Sequence, residues 1–225
     1  DSKFMKKIAS LIDPFEAKVT EVLRGFEDGK VFISRAEEIT FSTHLVTLSE
    51  ELKKFSKHEV FSSLCLDLVG KNVRLYWDQA VYKKPGTQEE FPWHQDNGYT
   101  FIEPQAYLTC WLALTDTNET NGCPWVIPEI HRLGTLKHET TDLGFEISLS
   151  DRDAIPLPLE AGSIAVFSSL TPHRTGPNTS QEIRKTYILQ YAPDGAQRKI
   201  SGSLSEPVDD GLRQYYVVKN GLILS

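Results

Sequence analysis

A chain of 225 residues, 40% of them hydrophobic, carries enough apolar material for a sizeable core, in one large domain or two small ones. A formal net charge of −7 argues against a nucleic-acid or anionic-membrane surface, and no apolar run approaches the roughly 20 residues of a membrane span. The three cysteines, Cys65, Cys110 and Cys123, are too scattered for a disulfide framework and none has a CxxC partner, which favours a reduced, cytoplasmic setting. The chain opens at Asp1 without the basic, apolar and small-residue pattern of a signal peptide.

Residues 1–70 read as mostly helical. Phe4, Ile8, Leu11 and Ile12 recur at helical spacing until Asp13-Pro14 breaks the run, and Val19, Val22, Leu23 and Phe26 form a second short stretch ended by Gly29. Two more helices fit residues 49–55 and 59–70, with Gly70 as a C-terminal cap. The texture changes over residues 71–195. Residues 73–83 are rich in aromatic and β-branched types and close on Lys84-Pro85-Gly86. Further strands are expected at 106–114, 125–128, 155–158, 163–167 and 185–191, with turn signals at 118–122, 161–162 and 176–178. Short strands without long intervening helices predict an antiparallel sandwich or barrel. Residues 196–225 read as polar and irregular until Tyr215-Tyr216-Val217-Val218. Without a repeat or a low-complexity linker, the chain is expected to form one mainly β domain, 1–225, with an N-terminal helical layer.

His94-Gln95-Asp96 stands in the stretch Phe91-Pro92-Trp93-His94-Gln95-Asp96-Asn97-Gly98-Tyr99. On an extended strand His94 and Asp96 share a face, which makes sense for polar ligands only if that face lines a cavity. An HxD pair alone is commonly a surface accident. Here a second histidine, His173, follows an expected strand, and Arg184 comes eleven positions later. Two imidazoles and a carboxylate are the donor set of the facial triad of non-haem Fe(II) oxygenases, which leaves positions open for co-substrate and dioxygen. Arg184 is either a solvated residue at a strand entry or a buried fork for a carboxylate. His173 and Arg184 bracket residues 174–183, an arrangement expected to put both on adjacent strands of one wall.

These residues resemble a known family. Trp93-His94-Gln95-Asp96, the stretch from Asn121-Gly122-Cys123 to Ile127-Pro128-Glu129-Ile130-His131, and His173-Arg174-Thr175-Gly176-Pro177-Asn178 followed by Arg184 resemble the phytanoyl-CoA dioxygenase family of Fe(II)/2-oxoglutarate oxygenases. The likeness covers roughly residues 73–191. It implies a double-stranded β-helix (jelly-roll, cupin-like) fold, iron held by His94, Asp96 and His173, and Arg184 on the distal carboxylate of 2-oxoglutarate. It also implies that the protein consumes O2, releases succinate and CO2, and oxidises, most simply hydroxylates, a small organic substrate. Trp111 matches a tryptophan beside the co-substrate, or is a core aromatic. Thr175 matches a hydroxyl on the co-substrate carboxylate, or is a turn residue. Gln79 is expected to face the co-substrate, and Lys83 matches the lysine of a KPPG segment. Related halogenases carry Gly or Ala where Asp96 stands, so its carboxylate favours an oxygenase outcome.

Tyr99 and Trp125, with Trp93, Phe101 and Tyr107, suggest an aromatic-lined cavity, and Lys83 is a further candidate for its wall. No basic cluster marks a coenzyme A phosphate pocket. The sequence departs from the family where PGSH becomes Pro128-Glu129-Ile130-His131, and where the N-terminal GyvvL strand is unclear before Gly29, which suggests truncation or divergence. His44, His58, His131 and His138 read as structural. Two other readings stay open: a cupin-like metal-binding protein or isomerase without 2-oxoglutarate, and a non-catalytic jelly-roll binding module. Substrate identity and oligomeric state are not legible.

Overall fold

Apolar residues at three- and four-residue spacing determine the first element of the computed structural model, which describes residues 2–201 and 204–224. In α1 (Ser2–Arg24), Met5, Ile8, Ala9 and Ile12 are buried along one face. The helix continues through Pro14 rather than stopping there as expected. Its neighbour Asp13 accepts hydrogen bonds from Tyr82 and Lys185, both at 2.7 Å, so tertiary contacts hold mid-helix on the sheet and offset the N–H that proline lacks.

Next come β1 (Lys30–Val31), β2 (Ser34–Arg35) and β3 (Ile39–Thr43), where the periodicity had signalled no strand. Two helices follow at the expected places. Ser49 accepts from the Leu52 amide to cap α2 (Glu50–Ser56), and the His58 ring accepts from the Val60 amide at the start of α3 (Glu59–Leu68). The chain then forms β4 (Val73–Lys83), β5 (Phe91–His94), the short helix α4 (Asp96–Tyr99), β6 (Ile102–Glu103), β7 (Leu108–Ala113) and β8 (Pro124–Val126). A hairpin of β9 (Glu139–Thr141) and β10 (Gly144–Glu146) leads to β11 (Ile155–Pro156), β12 (Ile164–Ser168), β13 (His173–Thr175) and β14 (Arg184–Pro193). The C-terminal region is more regular than expected. There β15 (Gln197–Ser201) pairs with β16 (Leu204–Pro207) and with β6, before β17 (Tyr216–Lys219) and β18 (Leu222–Ile223).

Two antiparallel sheets carry the site. The larger runs β1-β2-β3-β4-β14-β7-β12, with β17 also on β4; the smaller runs β11-β8-β13-β5. Alternation along the central strands divides the larger sheet into two faces. Leu75, Ala80, Tyr82, Tyr187, Leu189 and Tyr191 pack against α1, α2 and α3 through Ile8, Ile12, Leu52, Phe55 and Phe61. The opposite face presents Gln79, Val81, Trp111, Ile188 and Gln190 to a cavity that the smaller sheet closes with His94 and His173. This is the double-stranded β-helix with an N-terminal helical layer.

Asp78 ties the two layers together. Its carboxylate accepts from the Val46 amide (3.2 Å) and the Tyr187 hydroxyl (2.9 Å). Burial nevertheless pushes its pKa from 3.8 up to about 6. A folded pKa above the unfolded one means a contribution to stability that is full below pH 3.8 and lost as pH rises through about 6. Asp78→Asn, which stays neutral, should therefore gain about 3 kcal/mol on the wild type between pH 4 and pH 7, a shift of about two units converted at 1.36 kcal/mol each. Urea unfolding of both proteins across that range checks it. Parallel curves would mean that the carboxylate ionises freely in the fold.

Candidate active site

His94 closes β5 and pairs in register with His173, the first residue of β13. Their rings lie 4.1 Å apart, and His173 Nε2 is 3.6 Å from Asp96 Oδ1. One ligand atom from each of His94, Asp96 and His173 falls within 4.8 Å of the others. Asp96 arrives differently than strand parity suggested. The strand ends at His94, and Asp96 opens α4, so a strand end followed by a helical turn aims the two side chains together.

Backbone carbonyls set the histidines. His94 Nδ1 meets Pro92 O at 2.8 Å and His173 Nδ1 meets Thr171 O at 3.0 Å. A carbonyl only accepts, so each Nδ1 carries the proton and each Nε2 turns a lone pair toward the cluster. Burial, and His173 beside it, hold His94 well below the ordinary imidazole pKa, so it is neutral and able to ligate. Thr109 on β7 donates to Asp96 Oδ2 at 2.6 Å, which leaves Oδ1 facing the histidines. Between the ligands, Gln95 is fully buried and bonds Gly134 O, Leu170 O and the Leu136 amide, while its own amide donates to His138 Nε2. His138 thus supports the loop and His44 packs on Trp77 at 4.2 Å, both structural roles. Two imidazole nitrogens from buried histidines and one carboxylate oxygen from half-buried Asp96 converge, and the set fits a divalent transition metal such as iron.

Arg184 starts β14 and is 1% exposed. One of its nitrogens, Nη1, donates to Thr186 Oγ1 at 3.2 Å, while Nε and Nη2 are buried without partners. Burial pushes the guanidinium down to about 10. Thr175 Oγ1 is also buried and unpartnered. The expectation of adjacent strands fails: β13 lies in the smaller sheet and β14 in the larger, so His173 and Arg184 face one another across the cavity. Trp111, 5.5 Å from the guanidinium, lines this cavity, as do Gln79, Thr175 and Tyr99.

Lys83 and Trp125 do not line it. Lys83 is buried on β4, where its Nζ donates to Glu89 O (3.1 Å), Thr175 O (3.4 Å) and Gly176 O. Burial first, then Arg184, push it down to about 7. Those three acceptors use all its donors and fix the end of β13. Trp125 lies under the Arg174 guanidinium at 5.0 Å, with Trp93 at 5.3 Å and Glu90 and Asp151 as ion partners. Gly122 explains the Asn-Gly pair: at φ +85° it touches Gly176, and a Cβ there would collide with the Gly176 carbonyl. Asn178 donates to Lys83 O and Glu182 O, tying the β13–β14 connection to β4. Glu129 holds a left-handed φ of 67° where the family pattern has glycine, so the altered segment keeps a turn. Thr109 is what the sequence reading missed, although its two-residue offset from Trp111 on β7 was a usable signal.

A model of the phytanoyl-CoA dioxygenase (PhyH) family matches residues 7–186. The chain belongs to that family. Among PhyH relatives, it is 29% identical over 170 residues to a phytanoyl-CoA dioxygenase of Arabidopsis thaliana, covering 72% of this chain and 60% of that protein. It is 34% identical over 128 residues to a methylphosphonate hydroxylase of Gimesia maris, covering 55% of this chain and 47% of that one. The chain thus spans less than two thirds of the length of either relative. Solved structures share the fold. The apo non-heme monooxygenase ThoJ superposes with a TM-score of 0.74 at 17% identity, over 100% of this chain and 80% of its own. The epimerase SnoN, in complex with Fe3+, alpha ketoglutarate and a nogalamycin, gives 0.64 at 19% identity over 88% and 84%.

The Thr109–Asp96 bond gives the PhyH site a test of its own. Thr109→Val keeps the shape and removes the donor, so Fe(II) affinity should fall about 10- to 100-fold with little change in unfolding midpoint. Competition against a chelator indicator measures it; unchanged affinity would mean that Asp96 needs no orienting partner.

Proposed function

We propose that the chain is an Fe(II)- and 2-oxoglutarate-dependent dioxygenase that hydroxylates a C–H bond of a small organic substrate, releasing succinate and CO2. The observation that carries this reading is Arg184, a guanidinium 1% exposed with two unshared donors, which lines the same cavity as the unpartnered Thr175 and as His94, Asp96 and His173. Uncompensated buried charge is costly, and a carboxylate relieves it with two charge-assisted bonds. His94, Asp96 and His173 would hold the iron, and Arg184 with Thr175 the distal carboxylate of 2-oxoglutarate. Trp111 and Gln79 would flank the co-substrate. Bound iron supplies the oxygen-activating chemistry that couples 2-oxoglutarate decarboxylation to substrate oxidation.

The protein contributes orientation and dryness. Arg184 fixes the co-substrate lengthwise, the Pro92 and Thr171 carbonyls keep both imidazoles in the ligating tautomer, and aromatic walls exclude water. A cavity of about 420 Å³ suits a small molecule. The main hydrophobic cluster draws buried residues from Met5 to Val218, which supports a single oxygenase domain. No helix among the described residues is long and apolar enough to cross a membrane. The net charge of −7 and the three free, buried cysteines support a reduced, cytoplasmic protein that engages neither nucleic acid nor anionic lipid.

Arg184→Ala should weaken 2-oxoglutarate binding on the order of 100-fold while Fe(II) content stays near the wild-type level. The anaerobic metal-to-ligand charge-transfer band, titrated with 2-oxoglutarate in both proteins, reads the affinity directly. Equal loss of iron and co-substrate, or of neither, would sink the assigned role.

A further inference from the structure

The larger sheet serves as a ruler for the cavity. Register places Arg184 beside Lys83, then Ile188 between Gln79 and Trp111, then Gln190 between Trp77 and Thr109. Arg184 and Gln190 share one face of β14 six residues apart, which is about 20 Å of antiparallel strand. Gln190 therefore sits at the opposite end from the co-substrate anchor, across from the threonine that holds Asp96.

Gln190 is 5% exposed and lines the cavity, yet none of the hydrogen bonds of the described residues reaches its side-chain amide. Tyr107, two positions before Thr109, is 3% exposed and lines the same cavity, its ring on Tyr76 at 5.1 Å and its hydroxyl likewise without a partner. Neither group is sealed among the buried unpaired atoms, so both stay open to the cavity they line, and two such groups at one end of it mark a place for a ligand's polar atom. Apart from the metal-binding set and Arg184, no charged residue among the described ones lines the cavity; the remaining wall is largely aromatic and aliphatic. With the metal-binding set and Arg184 given to iron and co-substrate, a second anion would find no further counter-charge in the lining.

We propose that Gln190 and Tyr107 form the substrate's polar anchor and select an uncharged, largely apolar ring compound bearing a carbonyl or hydroxyl oxygen. The amide offers both donor and acceptor and the phenol a donor, a pairing that suits a neutral oxygen. The aromatic wall takes the flat remainder. This inference rests on the dioxygenase reading, because it assigns Arg184 to the co-substrate and leaves the other end for substrate.

The test uses protein loaded anaerobically with Fe(II) and 2-oxoglutarate, whose charge-transfer band shifts when a molecule enters beside the metal. Three probes of similar shape are titrated: α-tetralone, tetralin and α-naphthoate. The ketone should bind on the order of 10-fold tighter than the hydrocarbon, with the carboxylate weakest. Gln190→Leu should bring the ketone-to-hydrocarbon ratio to within about twofold, and Tyr107→Phe should remove part of it; general damage would weaken both probes alike and leave the ratio. Equal affinities in the wild type, a preference for naphthoate, no response to any probe, or a ratio intact in Gln190→Leu would each overturn the anchor. Absence of the band before any probe is added would instead overturn the dioxygenase reading.

Discussion

A guanidinium without a counter-ion is the constraint around which the structure is arranged. Arg184 is held at the start of β14, 1% exposed, with Nε and Nη2 unshared. Ionised groups leave water at a high cost unless they are paired. Neighbouring Lys83 disperses its charge over three carbonyls, whereas Arg184 has a single hydroxyl acceptor. Arg184 lines the cavity, so an acid bound against it would recover energy that folding left unspent. Such preorganisation favours an anion over water because the donors need no rearrangement.

The fold maintains this arrangement by giving each face of one sheet a separate task. Tyr187, Leu189 and Tyr191 anchor β14 to the helical layer through their odd-numbered side chains. Even-numbered Arg184, Ile188 and Gln190 on the same strand are thereby held on the cavity side. Asp13, reached by Tyr82 and Lys185, and Asp78, reached by Tyr187, brace the layer against the sheet. The smaller sheet brings His94 and His173 opposite. Site geometry thus depends on strand register, and a slip of one residue would turn Arg184 toward the helices.

Much of the site was legible because its chemistry needs uncommon combinations. An HxD pair, a distal histidine and a following arginine stand out against ordinary strand residues, as do Asn-Gly and the His-to-Asn178 spacing. Placement was less legible. Parity cannot tell a continuing strand from one that ends at His94, and a loop between His173 and Arg184 does not reveal that it crosses between sheets. Lys83 and Trp125 were expected on the cavity wall, but contacts from Gly176 and Arg174 draw them behind it. Strands of two to five residues in 30–43 are too short to display a period, and the polar β15–β16 pair lacks an apolar face. Pro14 sits inside α1 because Asp13 is held by residues far along the chain. Thr109 and Gln190 belong to residue types that usually meet solvent, so only their burial makes them informative.

The central claim is that one cavity holds a metal at His94, Asp96 and His173 and an acid at Arg184. An anaerobic crystal structure with Mn(II), a redox-inert stand-in for iron, and 2-oxoglutarate tests it most directly. The account predicts anomalous density for the metal among those three side chains and the distal carboxylate on Arg184 Nε and Nη2. Metal bound elsewhere, or a carboxylate that leaves Arg184 unpaired, would contradict it.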